Sequence, residues 1–240
     1  MSWNIIIFAV APYVAIIVAV GATMYRTRRE AFSVSSLSTQ LLEHRKLFWG
    51  SFSFHWGLLA ILTGHFLALI LPIVFDVWNG SQIRLYMLEI TGFALATWAL
   101  GGVSILIYRR LTSRRVQVVT SKMDVVVLAL ILAQIVTGMW IALGYRFGSF
   151  WGTSVFVPYM WSLITLRPRP EVVAPLPFVL QLHAALFWAF LMAFPFSRLV
   201  HIVTLPLPYL VRPWQKVVWV RRDRAFAEKE KRDRASAGVQ

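Results

Sequence analysis

Five stretches of this 240-residue chain are uncharged or nearly so, and each is long enough to cross a bilayer. They run over residues 3–25, 47–75, 85–108, 125–145 and 172–197, and the only Asp, Glu, Lys or Arg among them is Glu89. A spanning helix needs ~20 apolar residues, at 1.5 Å of rise each, to cover ~30 Å of hydrocarbon. Backbone polar groups in lipid must be satisfied internally, which leaves helices or closed barrels. Barrel strands alternate over ~10 residues, and these runs do not. The expected fold class is therefore an all-α integral membrane protein of five transmembrane helices. The first run has no basic segment before it and is too long for a cleavable signal, so it reads as the first span. The composition agrees: 58% of residues are hydrophobic and 14% charged, where a soluble domain carries about 25% charged.

The basic residues give the orientation. With the N-terminus outside, the segments after the first, third and fifth spans hold twenty of the 24 Lys and Arg. Only Arg84, Arg146, Arg167 and Arg169 fall on the other side. Such a bias places the C-terminus in the cytoplasm. It also accounts for the net charge of +14 without nucleic acid as a partner. The inner surface is suited to anionic lipid and to docking a cytoplasmic partner. The expected division is a membrane domain over 1–210 and a basic cytoplasmic tail over 211–240. The outer segment 146–176, with Pro158, Pro168, Pro170 and Pro175 and with Trp151, Tyr159 and Trp161, predicts a short interfacial helix. Pro195 predicts a kink in the fifth span, with Pro206 and Pro208 ending it past His201.

The chain has no cysteine. That excludes disulfides, cysteine-ligated iron–sulfur clusters and thiol catalysis, and leaves histidine as the ligand for any redox centre. Four of the five histidines lie in or at the end of two antiparallel spans. His44, among Glu43, Arg45 and Lys46, reads as a solvated loop residue. Pairing by depth joins His55 with His201 near the inner face and His65 with His183 near the outer face. Bis-imidazole ligation leaves no open position on iron, so two such b-type haems pass electrons without activating oxygen. Ionisable side chains within a membrane are costly and mark function. Along continuous helices the ligands are ~15 Å apart on the second span and ~27 Å on the fifth, so staggered ligands are expected. On the second span the two histidines are rotated by ~80°, whereas eighteen residues on the fifth make five turns and one face. Gly57 and Gly64 offer either a close approach for a flat macrocycle or ordinary helix packing. Arg198 is the inner candidate for pairing a haem propionate, or else an ordinary cytoplasmic anchor.

The segment Gln40 to Phe66, QLLEHRKLFWGSFSFHWGLLAILTGHF, and the segment Pro195 to Ile202, PFSRLVHI, resemble the gamma subunit of membrane-bound respiratory nitrate reductase. Gly64-His65-Phe66 and the run from Pro195 to His201 carry most of that likeness, together with histidine spacings of ten and eighteen. It covers about residues 1–215. The resemblance implies a dihaem cytochrome b subunit of the bacterial or archaeal cytoplasmic membrane. It implies that quinol is oxidised near the outer haem (His65, His183) and that electrons pass to the inner haem (His55, His201). They continue to a cytoplasmic iron–sulfur subunit and a molybdenum subunit that reduces nitrate. A basic residue at the outer start of the third span belongs to the family's quinol site. Arg84 stands here in place of the usual lysine, keeping the charge with a different geometry. The His65 environment and Glu89 are the candidates for proton exit, and Glu89 is equally suited to pair with Arg84 or cap its own helix. Two alternatives remain at this stage. One is a related dihaem subunit serving a different or reverse-running oxidoreductase. The other is a non-redox transporter or scaffold, although no internal repeat of the kind transporters show is present.

Overall fold

The computed structural model describes residues 3–29, 45–199 and Asp233. The membrane segments all fall in one compact unit, Met1–Val203. His44, His201, Pro206, Pro208 and, Asp233 apart, the expected tail 211–240 lie outside the described residues. Among the described residues every regular element is helical. Five helices have the length and hydropathy to cross a membrane. They are α1 (Trp3–Arg29), α2 (Arg45–Ile70), α4 (Gln82–Thr112), α6 (Lys122–Gly144) and α8 (Phe178–Ala193), the last continued by a 3₁₀ turn over Phe194–Phe196. Short helices α3 (Pro72–Asn79) and α5 (Arg114–Val118) join them, and α7 (Gly148–Ile164) lies between α6 and α8.

Proline sets three of the boundaries differently from expectation. The second span was expected to run to 75. It stops at Ile70, Leu71 leaves the helical region (φ −123°, ψ 53°), and Pro72 opens α3. A residue before proline is pushed out of the α region, while proline itself is welcome in a first helical turn. The fifth span begins at Phe178, after the N-cap Pro177, instead of at 172. At its other end Pro195 ends the helix instead of kinking it. Ser197 is extended (φ −103°, ψ 175°). The helix that carries His183 therefore ends before His201, which lies outside the described residues, and the five turns and ~27 Å expected of a continuous helix no longer follow.

The segment 146–176 also differs. Its helix α7 has 17 residues, and it is built into the core. Tyr159, expected at the interface, is 1% exposed and packs with Phe8, Ala15, Leu163, Val173 and Trp188. A π-turn over Ile6–Val10 in α1 accompanies the bond from Tyr159 Oη–H to the Phe8 carbonyl (2.9 Å). Burial pushes the Tyr159 phenol up to about 12, so it remains a donor. Tyr13 answers by donating to the Leu163 carbonyl (3.0 Å). Asn79 Nδ2 donates to the Ser149 carbonyl (2.9 Å) and Thr153 donates to Asp76 (2.8 Å), which ties α3 to α7.

A second core, made of Phe54, Ala99, Val103, Val127, Ile131 and Ile135, joins α2, α4 and α6. Small residues let α2 and α4 close together. A Cβ on Gly102 would collide with the Phe54 nitrogen, and one on Gly57 would lie 2.8 Å from the Leu95 carbonyl oxygen. Gly57 is thus a helix-packing glycine, as small residues commonly are where apolar solvent provides no hydrophobic drive to associate. Helix α2 packs on α4, α4 on α6, α6 on α8 and α8 on α1, whereas α2 and α8 barely touch.

Candidate functional site

The two histidine-bearing helices α2 and α8 thus stand near each other without packing. His183 on α8 lies within the electrostatic reach of His65 on α2. Both α2 histidines have exposed side chains, and each is steered by its own helix. His65 Nδ1–H donates to the Ile61 carbonyl (2.9 Å), and His55 Nδ1–H donates to the Ser51 carbonyl (2.7 Å). A carbonyl only accepts, so both rings carry the proton on Nδ1 and the lone pair on Nε2. His183 is held from α6. Thr137 Oγ1 gives its own proton to the Ala133 carbonyl (2.7 Å), so it accepts from His183 Nδ1–H at 2.9 Å. Gln134 Nε2 lies 3.2 Å from His183 Nε2. All three described histidines therefore share one tautomer. It is the form in which ligating histidines are found, with one ring nitrogen bonded to the protein and the other presenting its lone pair.

These residues fit a haem. Gln134 meets the ring through Nε2, while its Oε1 is buried with no hydrogen-bond partner. The amide is thus weakly anchored and can turn aside for a metal at His183 Nε2. Beside His65, a Cβ on Gly64 would meet nothing within 4 Å, so this glycine, unlike Gly57, faces open space. Among the described residues no cluster of three or more His, Asp or Glu forms a metal site of the protein-only kind. A haem needs only two axial imidazoles.

The remaining candidates are dispersed. Arg84 bridges the end of α3: Nε donates to the Trp78 carbonyl (2.9 Å), Nη2 donates to the Val77 carbonyl (3.0 Å), and its guanidinium lies 5.8 Å from the Trp78 ring centre. With Ile73, Val74, Val77 and Trp78 it edges an apolar groove of about 290 Å³. Glu89 neither pairs with Arg84 nor caps its own helix. It accepts from the Gly148 backbone N–H (3.1 Å), the first residue of α7, where a carboxylate complements the positive helix end. No hydrogen bond or ion pair joins His65, Arg84 and Glu89. Arg198 Nε pairs with Asp124 (3.2 Å), and its Nη2 donates to the Val119 carbonyl (2.7 Å). Asp124 also faces Arg110 at 3.6 Å.

A family model described as the nitrate reductase gamma subunit matches residues 4–220. The chain belongs to that family. It is similar to the nitrate reductase gamma chain of Bacillus subtilis, with 30% identity over 90% of this chain and 98% of that one. The respiratory nitrate reductase 1 gamma chain of Escherichia coli K12 is 28% identical over 89% of this chain and 96% of that one. The nitrate reductase-like protein NarX of Mycobacterium tuberculosis is 32% identical over 86% of this chain, and the match covers 32% of that longer protein. Membership in the gamma family makes this chain a membrane electron-transfer subunit of a redox complex.

Three residues of the site were not anticipated from sequence: Thr137, Gln134 and Gly138. A Cβ on Gly138 would lie 3.1 Å from His183 Cε1, so the glycine admits the ring. A signal was present. Gln134 and Thr137 are polar residues one turn apart in an otherwise apolar span, and polar groups there are costly unless they have a partner.

Proposed function

We propose that this chain is the dihaem cytochrome b subunit that oxidises quinol for a respiratory nitrate reductase. His65 and His183 hold the outer haem, and His55 and His201 hold the inner one. One observation carries the reading. Three histidines on two helices that barely touch all turn Nδ1–H into the protein and leave the lone pair on Nε2. When bound, bis-imidazole haem supplies one-electron transfer without an open coordination site. The chain's own residues do the rest. Backbone and hydroxyl acceptors fix the imidazole tautomers, and the apolar spans exclude water.

The N-terminus is placed outside and the C-terminus in the cytoplasm. The support is the twenty basic residues on the inner side, including Arg26, Arg28 and Arg29 at the end of α1 and Arg109 and Arg110 at the end of α4. Quinol is placed at the outer end. The groove edged by Arg84 is near the lower end of volumes that hold small organic ligands, and Arg84 supplies a cation at its rim. Oxidation of quinol releases two electrons and two protons. The electrons go inward to an iron–sulfur subunit and then to a molybdenum subunit that reduces nitrate. The protons leave on the outer side, by way of the His65 environment or Glu89.

The test is made on membranes holding the assembled complex under anaerobic conditions. Added quinol should reduce the b-type absorption bands, and subsequent nitrate should reoxidise them. Bands that stay oxidised with quinol would contradict quinol oxidation. Bands that quinol reduces and nitrate leaves reduced would point to a different terminal reductase.

A further inference from the structure

The two rings assigned to the outer haem are supported in different ways. His65 Nδ1–H bonds to a main-chain carbonyl of its own helix (2.9 Å), an acceptor that no side-chain substitution removes. His183 Nδ1–H bonds to a side chain on the neighbouring helix, Thr137 Oγ1 (2.9 Å). Thr137 is 8% exposed, so water has little access to replace it. Its own hydroxyl proton is committed to the Ala133 carbonyl (2.7 Å), which aims an oxygen lone pair at the imidazole. The adjacent Gly138 lets the ring lie against α6. Gln134, one turn away, has the opposite relation: it meets His183 at Nε2, the atom that ligation uses.

We propose that Thr137 is a positioning residue that fixes the tautomer and plane of His183 and lowers the reduction potential of the haem this histidine ligates. The inference rests on the two-haem reading above. An acceptor at Nδ1–H raises the basicity of the ligand through Nε2. A more basic ligand favours ferric over ferrous iron. Because the acceptor sits on α6 and the ligand on α8, the potential depends on how these two helices are seated.

The experiment is a redox titration of the b-type bands, with electron paramagnetic resonance of the oxidised haems, in membranes containing the full complex. Thr137→Val removes the acceptor at nearly constant volume, and Thr137→Ser keeps it. The valine variant should weaken the ferric preference of one haem by about tenfold, the low end for losing a supporting partner, a rise of about 59 mV for one electron. Its low-spin ferric signal should move, the other haem should titrate as in wild type, and the serine variant should restore both readings. Loss of one haem in the valine variant with recovery in the serine variant also supports the inference. A valine variant that titrates as wild type, an equal shift of both haems, or a serine variant as altered as the valine one would overturn it. If wild type itself lacks two b haems, both this inference and the two-haem reading fail. If wild type has two and Thr137→Val moves neither, this inference alone fails.

Discussion

Under the proposed two-haem reading, His65→Ala should remove one b haem from the complex and leave the other, and His183→Ala should remove that same one. Each variant loses quinol-driven electron flow to nitrate. The loss exceeds the ~10–100-fold that a missing supporting partner costs, because here an axial ligand itself is gone. The two positions test different surroundings. His65 is exposed on α2, and its removal leaves no large cavity. His183 sits against Gly138, Thr137 and Gln134, so its removal also strands the Gln134 amide on α6, while Thr137 keeps its bond to the Ala133 carbonyl. Low-temperature visible spectra of the reduced variants resolve the outcome. Loss of different haems in the two variants would break the pairing of His65 with His183, and retention of both haems in either would exclude that residue as a ligand.

The largest effect on stability is expected at Asp124, in the first turn of α6. This carboxylate is 7% exposed and carries three interactions. It pairs with Arg198 at 3.2 Å, faces Arg110 at 3.6 Å, and accepts the Ser121 N–H (3.0 Å) in a capping box that starts α6. Asp124→Ala leaves two guanidinium groups close together without their counter-charge. Breaking such a buried pair from one side costs about 3 kcal/mol, the low end of the usual range because both arginines keep some contact with solvent. Loss of the reciprocal half of the capping box, the Ser121 N–H to carboxylate bond, adds up to about 1 kcal/mol, while the Ser121 hydroxyl still accepts from the backbone N–H of residue 124. Asp124→Asn keeps an acceptor for the cap and removes only the charge, so it should fall between. Thermal loss of the helical circular dichroism signal in detergent measures the series, with a drop of roughly 8–16 °C for the alanine variant. An alanine variant that melts with wild type would mean that these charges are screened like surface pairs.

What sequence alone could reach follows from the range of each signal. The five spans were legible because a spanning helix is specified by its own residues: twenty apolar positions suffice wherever the neighbours lie. Histidine in such a span is conspicuous for the same reason, so His55, His65 and His183 were picked out before any contact was known. The family was legible from short motifs around those histidines. Leu71–Pro72 and Pro195 were visible as residues, yet whether a proline kinks, ends or merely opens a helix depends on where the freed carbonyls find donors. The Pro195 carbonyl receives Arg26 of α1, a contact that local reasoning does not supply. Helix α7 was underestimated because its aromatic residues suit an interface as well as a core, and only packing against Phe8 and Trp188 decides for Tyr159. Thr137 was one hydroxyl among many. Its role depends on a residue 46 positions away. Ser121-x-x-Asp124 was a readable capping pattern, but its second use, as the counter-charge for Arg198, is again tertiary.

Haem content per polypeptide tests the central claim most directly. The complex is purified, the non-covalent haem is extracted and quantified as its pyridine derivative, and the result is set against the amount of this chain. Two b-type haems per chain is the predicted value, falling to one in His65→Ala. A wild-type value of one or none would contradict the assignment of four histidines to two haems.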